Sequence, residues 1–340
     1  MGWTKRILKW GGVGLLGLLW IGAIFQQVGQ AWDAHAYPPP GRMVTVDGGK
    51  VHVVCSGAGD TTFVLDAGLG AWSFEWFRIQ PALAKVAHVC AIDRPGLGWS
   101  EHQNHGFDAR GAADQMAKIV VAAGIRKPFI YVGHSLGANF AQVYATRYPK
   151  DVAALVLLEP GDPKDLLEDF HGSRADALDI SACGWTCFAA RAASFFGLPR
   201  LVLSFVTLGQ HSFAGHPEVR AIYQMGLARD WTPATMVSLF SFVPATALED
   251  RDVKSFGNLP VLVLTSSAPR EPESNETPHD VAIWRAGELR YFKALAAEST
   301  RGKGPIVIPN SNHGTMTLGP SSATTAADII AFARENGLLR

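Results

Sequence analysis

Neither sign of charge dominates this chain: 30 Lys and Arg stand against 30 Asp and Glu in 340 residues, a formal net charge of +0. A polyanion needs a basic stripe to hold it, and none is present, so no nucleic-acid partner is expected. No run of acidic residues marks a disordered tail either. Cysteine is scarce. There are four, with no Cys-x-x-Cys pair; Cys183 and Cys187 sit four apart without a nearby histidine, so no metal site is expected. Charge is missing altogether from Trp10 to Val28, a Gly-, Leu- and Ile-rich run, and no Lys or Arg follows until Arg42.

That last absence carries a meaning, because Lys5, Arg6 and Lys9 lie just before the run. About twenty apolar residues cross a bilayer, and basic residues stay on the cytoplasmic side. Residues 1–30 therefore read as an uncleaved signal anchor, with the N-terminus in the cytoplasm and the rest exported. A cleaved signal peptide ending near Ala34-His35-Ala36 is the alternative, and a buried globular helix a third. Residues 31–41, with Tyr37-Pro-Pro-Pro40-Gly41, read as a stiff linker that holds a folded domain off the membrane.

With 48% hydrophobic residues the remainder can bury a large core. Short strands are expected at Met43–Val46, Val51–Cys55 and Phe63–Asp66, the first two as a hairpin around Asp47-Gly48-Gly49. A glycine-rich loop, Asp66 to Gly70, precedes a helical pattern. Another strand, His88–Ile92, enters Asp93-Arg-Pro-Gly-Leu-Gly-Trp-Ser100, read as a structural turn in which Arg94 and Trp99 brace the sheet edge. Helix 109–123, strand Phe129–Val132 and strand Val152–Leu158 follow. Alternating strands and helices give a mostly parallel sheet covered on both faces.

The stretch that organises the chain is Gly133-His134-Ser135-Leu136-Gly137, between the strand at 129–132 and an apolar helical pattern. A strand turning sharply into a helix around Gly-x-Ser-x-Gly lifts the serine hydroxyl to a helix N-terminus, where developing negative charge is favoured. Side chains at 133 or 137 would collide with crossing backbone. His134 reads as structural.

Four features in order resemble an α/β-hydrolase: Ala67-Gly-Leu-Gly70, the Asp93–Ser100 turn, the Gly133–Gly137 elbow, and a histidine near the C-terminus, His313 in Asn310-Ser-Asn-His-Gly-Thr315. The resemblance covers roughly 41–160 and 258–340, and is nearest to a bacterial branch with an N-terminal anchor and a Tyr-Pro-Pro-Pro-Gly linker. It implies an eight-stranded, mostly parallel sheet flanked by helices. It divides the folded part into a core at 42–161, a helical cap at 162–257 inserted after the sixth strand, and a second core segment at 258–340. It also makes the second and fourth strands neighbours, so that Cys55 and Cys90 can form a disulfide. The apolar stretch 182–208 reads as cap packed on the core rather than on a membrane.

The resemblance further implies Ser135 as nucleophile and His313 as base. The N–H groups of Leu136 and Leu69 would form the oxyanion hole. The acid is open. The usual place after the seventh strand reads Leu264-Thr-Ser-Ser-Ala-Pro-Arg-Glu271, so Glu159, at the tip of the sixth strand, is preferred, with Asp162, Glu271, Glu273 and Asp280 as alternatives. The expected function is a membrane-anchored carboxylesterase or lipase-like enzyme acting on a small-molecule or lipid-like ester without a cofactor. Peptidase, thioesterase, lactonase or perhydrolase chemistry is open on the same residues, whereas dehalogenase and epoxide-hydrolase chemistry calls for an Asp at 135. A non-enzymatic ligand-binding protein and a structural membrane protein are the readings from other classes.

Overall fold

The computed structural model describes residues 2–103, 107–169, 184–206, 213, 215–269 and 277–339. Eight strands form one sheet: β1 (Arg42–Val46), β2 (Gly49–Ser56), β3 (Thr62–Asp66), β4 (His88–Ile92), β5 (Phe129–His134), β6 (Val152–Leu158), β7 (Val261–Ser266) and β8 (Gly302–Ile308). Their order is β1-β2-β4-β3-β5-β6-β7-β8. β1 and β2 form the expected hairpin, since Asp47 and Gly48 both adopt positive φ, as a tight two-residue hairpin turn requires. β2 is antiparallel to β4, and every later pairing is parallel. This is the α/β-hydrolase architecture.

Burial on both faces explains the unbroken apolar strands such as Val152–Leu158. One face packs Phe129, Tyr131, Tyr144 and Phe292, the other Phe63, Trp76, Ile79 and Phe332. Helices Ala109–Ala122, Leu136–Arg147 and Pro278–Ala297 cover the first face, and Ser322–Glu335 the second. Asp108 caps the helix at 109 through the Gly111 N–H. Cys55 faces Cys90 across the β2–β4 ladder, Cα to Cα 4.1 Å, and the two are joined by a disulfide. Between β6 and β7 lie helices Pro163–Asp169, Gly184–Phe195, Leu198–Leu203, Pro217–Leu227 and Thr232–Asp252.

Three expectations are corrected. First, the N-terminal helix runs from Gly2 to Ala36, so the extended linker starts at Tyr37 rather than at residue 31. Ala31 to Ala36 contains no helix breaker; Tyr37 precedes a proline, and that residue is driven out of the helical region. This helix, long and apolar enough to cross a membrane, does not stand off the domain either. Gln26 Nε2 donates to Ala228 O at 2.7 Å, and Arg200 pairs with Asp33 at 2.6 Å. Second, the apolar cap stretch faces outward: Trp185 and Phe205 are each 84% exposed, and Phe188, Leu198 and Leu201 are exposed as well. The pattern specifies an apolar helix but not which side meets the core. Third, Arg94 braces no sheet edge, because β4 is interior; it reaches beneath the 67–70 loop instead.

Candidate active site

The turn between β5 and the helix Leu136–Arg147 holds Ser135 at φ 52°, ψ −124°. A non-glycine residue there is strained by roughly 1–3 kcal/mol and persists only when its surroundings fix it. They do: Ser135 N donates to Leu158 O at 2.9 Å, and Ala138 N to Ser135 O at 2.9 Å. A Cβ on Gly133 would lie 2.6 Å from Ala138 Cα, and one on Gly137 would lie 2.4 Å from Asp66 O. Both glycines are therefore required by close approach of backbone.

Glu159, one residue past β6, also has positive φ, 43°. Its Oε2 lies 2.7 Å from His313 Nδ1. Oε1 accepts from Thr265 Oγ1 at 2.9 Å and from Ser266 N at 2.5 Å, with Arg285 Nη1 4.0 Å away. Burial alone would push this carboxyl up, but the hydrogen bond and charge of His313, then the Ser266 donors, outweigh it and hold Glu159 at about 2. His313 sits on the loop after β8. That loop is pinned by Ser321 Oγ on Asn310 O at 2.7 Å and by Asn312 Oδ1 accepting from Thr315 N at 2.9 Å. A carboxylate at Nδ1 assigns the proton to that nitrogen and leaves Nε2 able to accept one.

The loop after β3 lies directly against the elbow: a Cβ on Gly68 would stand 3.3 Å from Ser135 Cβ. Two buried side chains hold it. Arg94 Nη1 donates to Gly68 O at 3.3 Å and Nε to Asp66 Oδ1 at 2.9 Å, while Nη2 bonds Ala67 O. Glu75 Oε2 accepts the Gly68 N–H at 2.8 Å, so the next amide in the loop is that of Leu69. From the cap, Met236 covers Gly70.

Glu75 does not stand out in the sequence, and His134 has more to do than fill space. Glu75 Oε1 pairs with His134 Nδ1, both side chains being buried, and also accepts from Thr317 Oγ1 at 3.2 Å. The other nitrogen of His134 lies 3.1 Å from the His313 carbonyl oxygen, and the two imidazoles pack with centroids 4.6 Å apart. Burial opposes both charges, yet each partner sustains the other: the Glu75 carboxyl is lowered by His134, and the His134 imidazole is raised by Glu75. The available signal is a carboxylate inside the apolar pattern Phe74, Trp76, Phe77, where an unpaired charge would be costly.

The alternative acids stand away from His313 or outside the described residues. Asp162 Oδ1 accepts from Lys164 N at 2.9 Å at the start of the first cap helix, away from His313. Asp280 closes a capping box with Thr277 at an exposed helix start. Glu271, Glu273 and Cys183 lie outside the described residues. Among the described residues, the one group of three metal-type ligands is Cys55, His88 and Cys90, and its two sulfurs are bonded to each other.

The profile of the alpha/beta hydrolase fold family matches residues 61–181. An uncharacterised protein, YbdG of Bacillus subtilis, is 31% identical over 126 residues, 36% of this chain and 39% of that one. A soluble epoxide hydrolase of a Corynebacterium is 34% identical over 100 residues, 29% of this chain and 34% of its own. The chain thus spans well under half of each of these two relatives. A thermophilic esterase from Thermogutta terrifontis superposes with a TM-score of 0.60 at 18% identity, over 87% of this chain and 98% of that one. Sheet order, elbow and profile agree on the α/β-hydrolase fold.

Proposed function

We propose that the protein is a membrane-anchored serine hydrolase that cleaves esters with an apolar or lipid-like acyl group. The observation that carries this reading is the Glu159–His313 pair at 2.7 Å on the same rim of the sheet as the strained Ser135 turn. A serine hydroxyl is a weak nucleophile without a base. His313 Nε2 takes the proton as Ser135 Oγ attacks the acyl carbonyl, and Glu159 stabilises the imidazolium that forms. The oxyanion is held by the Leu136 and Leu69 N–H groups, the first favoured further by the helix N-terminus. The imidazolium then protonates the departing alcohol. Water, deprotonated by the same nitrogen, releases the acid and restores Ser135.

Support for the substrate class and location comes from composition and exposure. Trp72, Phe74, Phe213 and Tyr223 form an aromatic cluster behind the 67–70 loop. The outward apolar side chains of the cap adjoin the N-terminal helix, whose Gly22 abuts Phe196, so helix and cap offer one continuous surface to a bilayer. The basic N-terminal flank favours an exported catalytic domain, which the Cys55–Cys90 bridge suits. Esters are preferred to amides, thioesters or lactones on the aromatic cap alone.

The test is turnover of p-nitrophenyl esters of increasing chain length by the full chain in detergent, beside Ser135→Ala. We expect an optimum at medium or long acyl chains and a loss of about 10⁶-fold in kcat without the hydroxyl. Opening of styrene oxide by wild type, with Ser135→Ala equally active, would overturn the serine mechanism.

A further inference from the structure

β7 ends in Thr265 and Ser266, at the usual place of the acid, yet Leu264 to Arg270 holds no carboxylate. Both residues serve the acid instead. Glu159 Oε1 accepts from Thr265 Oγ1 at 2.9 Å and from Ser266 N at 2.5 Å. Behind them, on the helix Pro278–Ala297, stands Arg285, whose side chain is 14% exposed. Its Nη1 donates to Thr265 Oγ1 at 3.1 Å and its Nη2 to Ser266 O. One guanidinium thus grips both residues that hold the carboxylate, while Nη1 stays 4.0 Å from Glu159 Oε1 itself. Glu288, one turn along the same helix, pairs with Nη1 and keeps the fork in place.

A hydroxyl has a single hydrogen and rotates unless its neighbours fix it. A guanidinium only donates and does not lose its proton in a protein. Where Nη1 meets Thr265 Oγ1 the hydroxyl must therefore accept, and its one hydrogen is left for Glu159. The bond to Ser266 O likewise holds in place the residue whose N–H is the second donor. We infer that Arg285 is a positioning residue: it sets the direction of both hydrogen bonds on Glu159 Oε1, and so leaves Oε2 aimed at His313 Nδ1. This rests on the catalytic reading of Ser135, His313 and Glu159.

A tie between helix and sheet is the plainer role for such an arginine, and it has a different signature. A tie affects folding and lowers activity equally at every pH. A positioning cation is also felt by the imidazolium. The Glu159–His313 pair is faced by Arg285 and Glu288 from the helix, and by His134 and Glu75 from beneath the elbow. Removing the positive charge of Arg285 leaves the imidazole easier to protonate, so the acid limb of kcat/KM moves to higher pH.

The experiment is turnover of a p-nitrophenyl ester across pH by the full chain in detergent, with thermal melts to check folding. Wild type runs beside Ser135→Ala, Arg285→Met, Arg285→Lys, Thr265→Val and the double variant Arg285→Met with Thr265→Val. We expect Arg285→Met to lower kcat about tenfold, with KM changed by less than about twofold. Its acid limb should rise by about half a pH unit. Arg285→Lys keeps the charge but lacks the fork, so its kcat should stay low while its acid limb stays at the wild-type pH. Because Arg285 acts through Thr265, its loss should cost less than about threefold once Thr265 is Val. An unshifted acid limb in a folded Arg285→Met, wild-type kcat in Arg285→Lys, or full additivity in the double variant overturns the inference. Should Arg285→Met not fold, Arg285→Lys and Thr265→Val decide: reduced kcat at unchanged KM in both supports it, and wild-type kcat in either overturns it. Ser135→Ala separates the two readings. Full turnover by that variant counts against the serine mechanism, and the role of Arg285 falls with it; an inactive Ser135→Ala beside a fully active Arg285→Met counts against Arg285 alone.

Discussion

Two glutamate–histidine pairs stand side by side beneath the elbow, built of the same chemistry and exposed very differently. In one, Glu159 and His313, the carboxylate is buried but the imidazole side chain is 55% exposed. In the other, Glu75 and His134, the side chains are 3% and 5% exposed. A histidine that reaches solvent can exchange a proton with substrate and water. One that is sealed can only hold its charge against a fixed partner, and so serves as a tie. Glu75 uses that tie to grip the Gly68 N–H on one side and Thr317 on the other, while His134 meets the backbone of His313. The sealed pair thereby fixes the loop facing Ser135 and the loop carrying His313 to one another.

The sharpest way to break this contrast is to neutralise each carboxylate in turn. Glu159→Gln should lower kcat on p-nitrophenyl esters by about 10⁴-fold, because the imidazole loses both its tautomer and its counter-charge. Glu75→Gln should cost stability first, about 3 kcal/mol by denaturant titration, since it strands a buried histidine. Its effect on kcat should stay near tenfold, through the displaced Gly68 loop. Equal losses of kcat in the two variants would mean that the inner pair is no mere tie.

Acidity separates the pairs next. Glu75 is lowered below its ordinary 4.5, so its contribution to stability is present above that value and is lost as pH falls through the folded value. His134 is raised above 6.5, so its contribution is present below 6.5 and fades as pH rises through the raised folded value. The Tm difference between wild type and Glu75→Gln should therefore be widest between about pH 4.5 and 6.5 and narrow on both sides. Glu159, held at about 2, should contribute fully above pH 4.5 and lose that contribution progressively as pH falls from 4.5 to about 2. The smallest effect is expected from Thr317→Val, which removes one donor to Glu75 and should cost about 1 kcal/mol in the same melts.

The outer pair can be approached from the sequence, whereas for the inner one the sequence marks only a carboxylate in an apolar stretch and not its partner, for a physical reason. Ser135 and its flanking glycines form a local pattern, with strand before and helix after, and the sheet follows from the alternation of apolar runs. Glu159 is marked by standing at the tip of an apolar strand, where a lone charge is expensive. Glu75 lies in a short helical turn and meets His134 only through the packing of β3 against β5, a pairing distant in sequence. The direction of the cap is hidden similarly. Trp185, Phe188 and Phe205 have the composition of a core, and only the tertiary arrangement turns them outward. The helix end at Ala36 is obscured because the prolines draw the apparent boundary earlier than their own first position.

The seating of the N-terminal helix on the cap, through Gln26 to Ala228 and Asp33 to Arg200, has a kinetic consequence under the proposed anchoring. An enzyme fastened to a bilayer by the same structure that roofs its catalytic centre meets its substrate in two dimensions. Its velocity would then follow the mole fraction of ester in the lipid surface, and diluting the vesicles at fixed lipid composition would leave it unchanged.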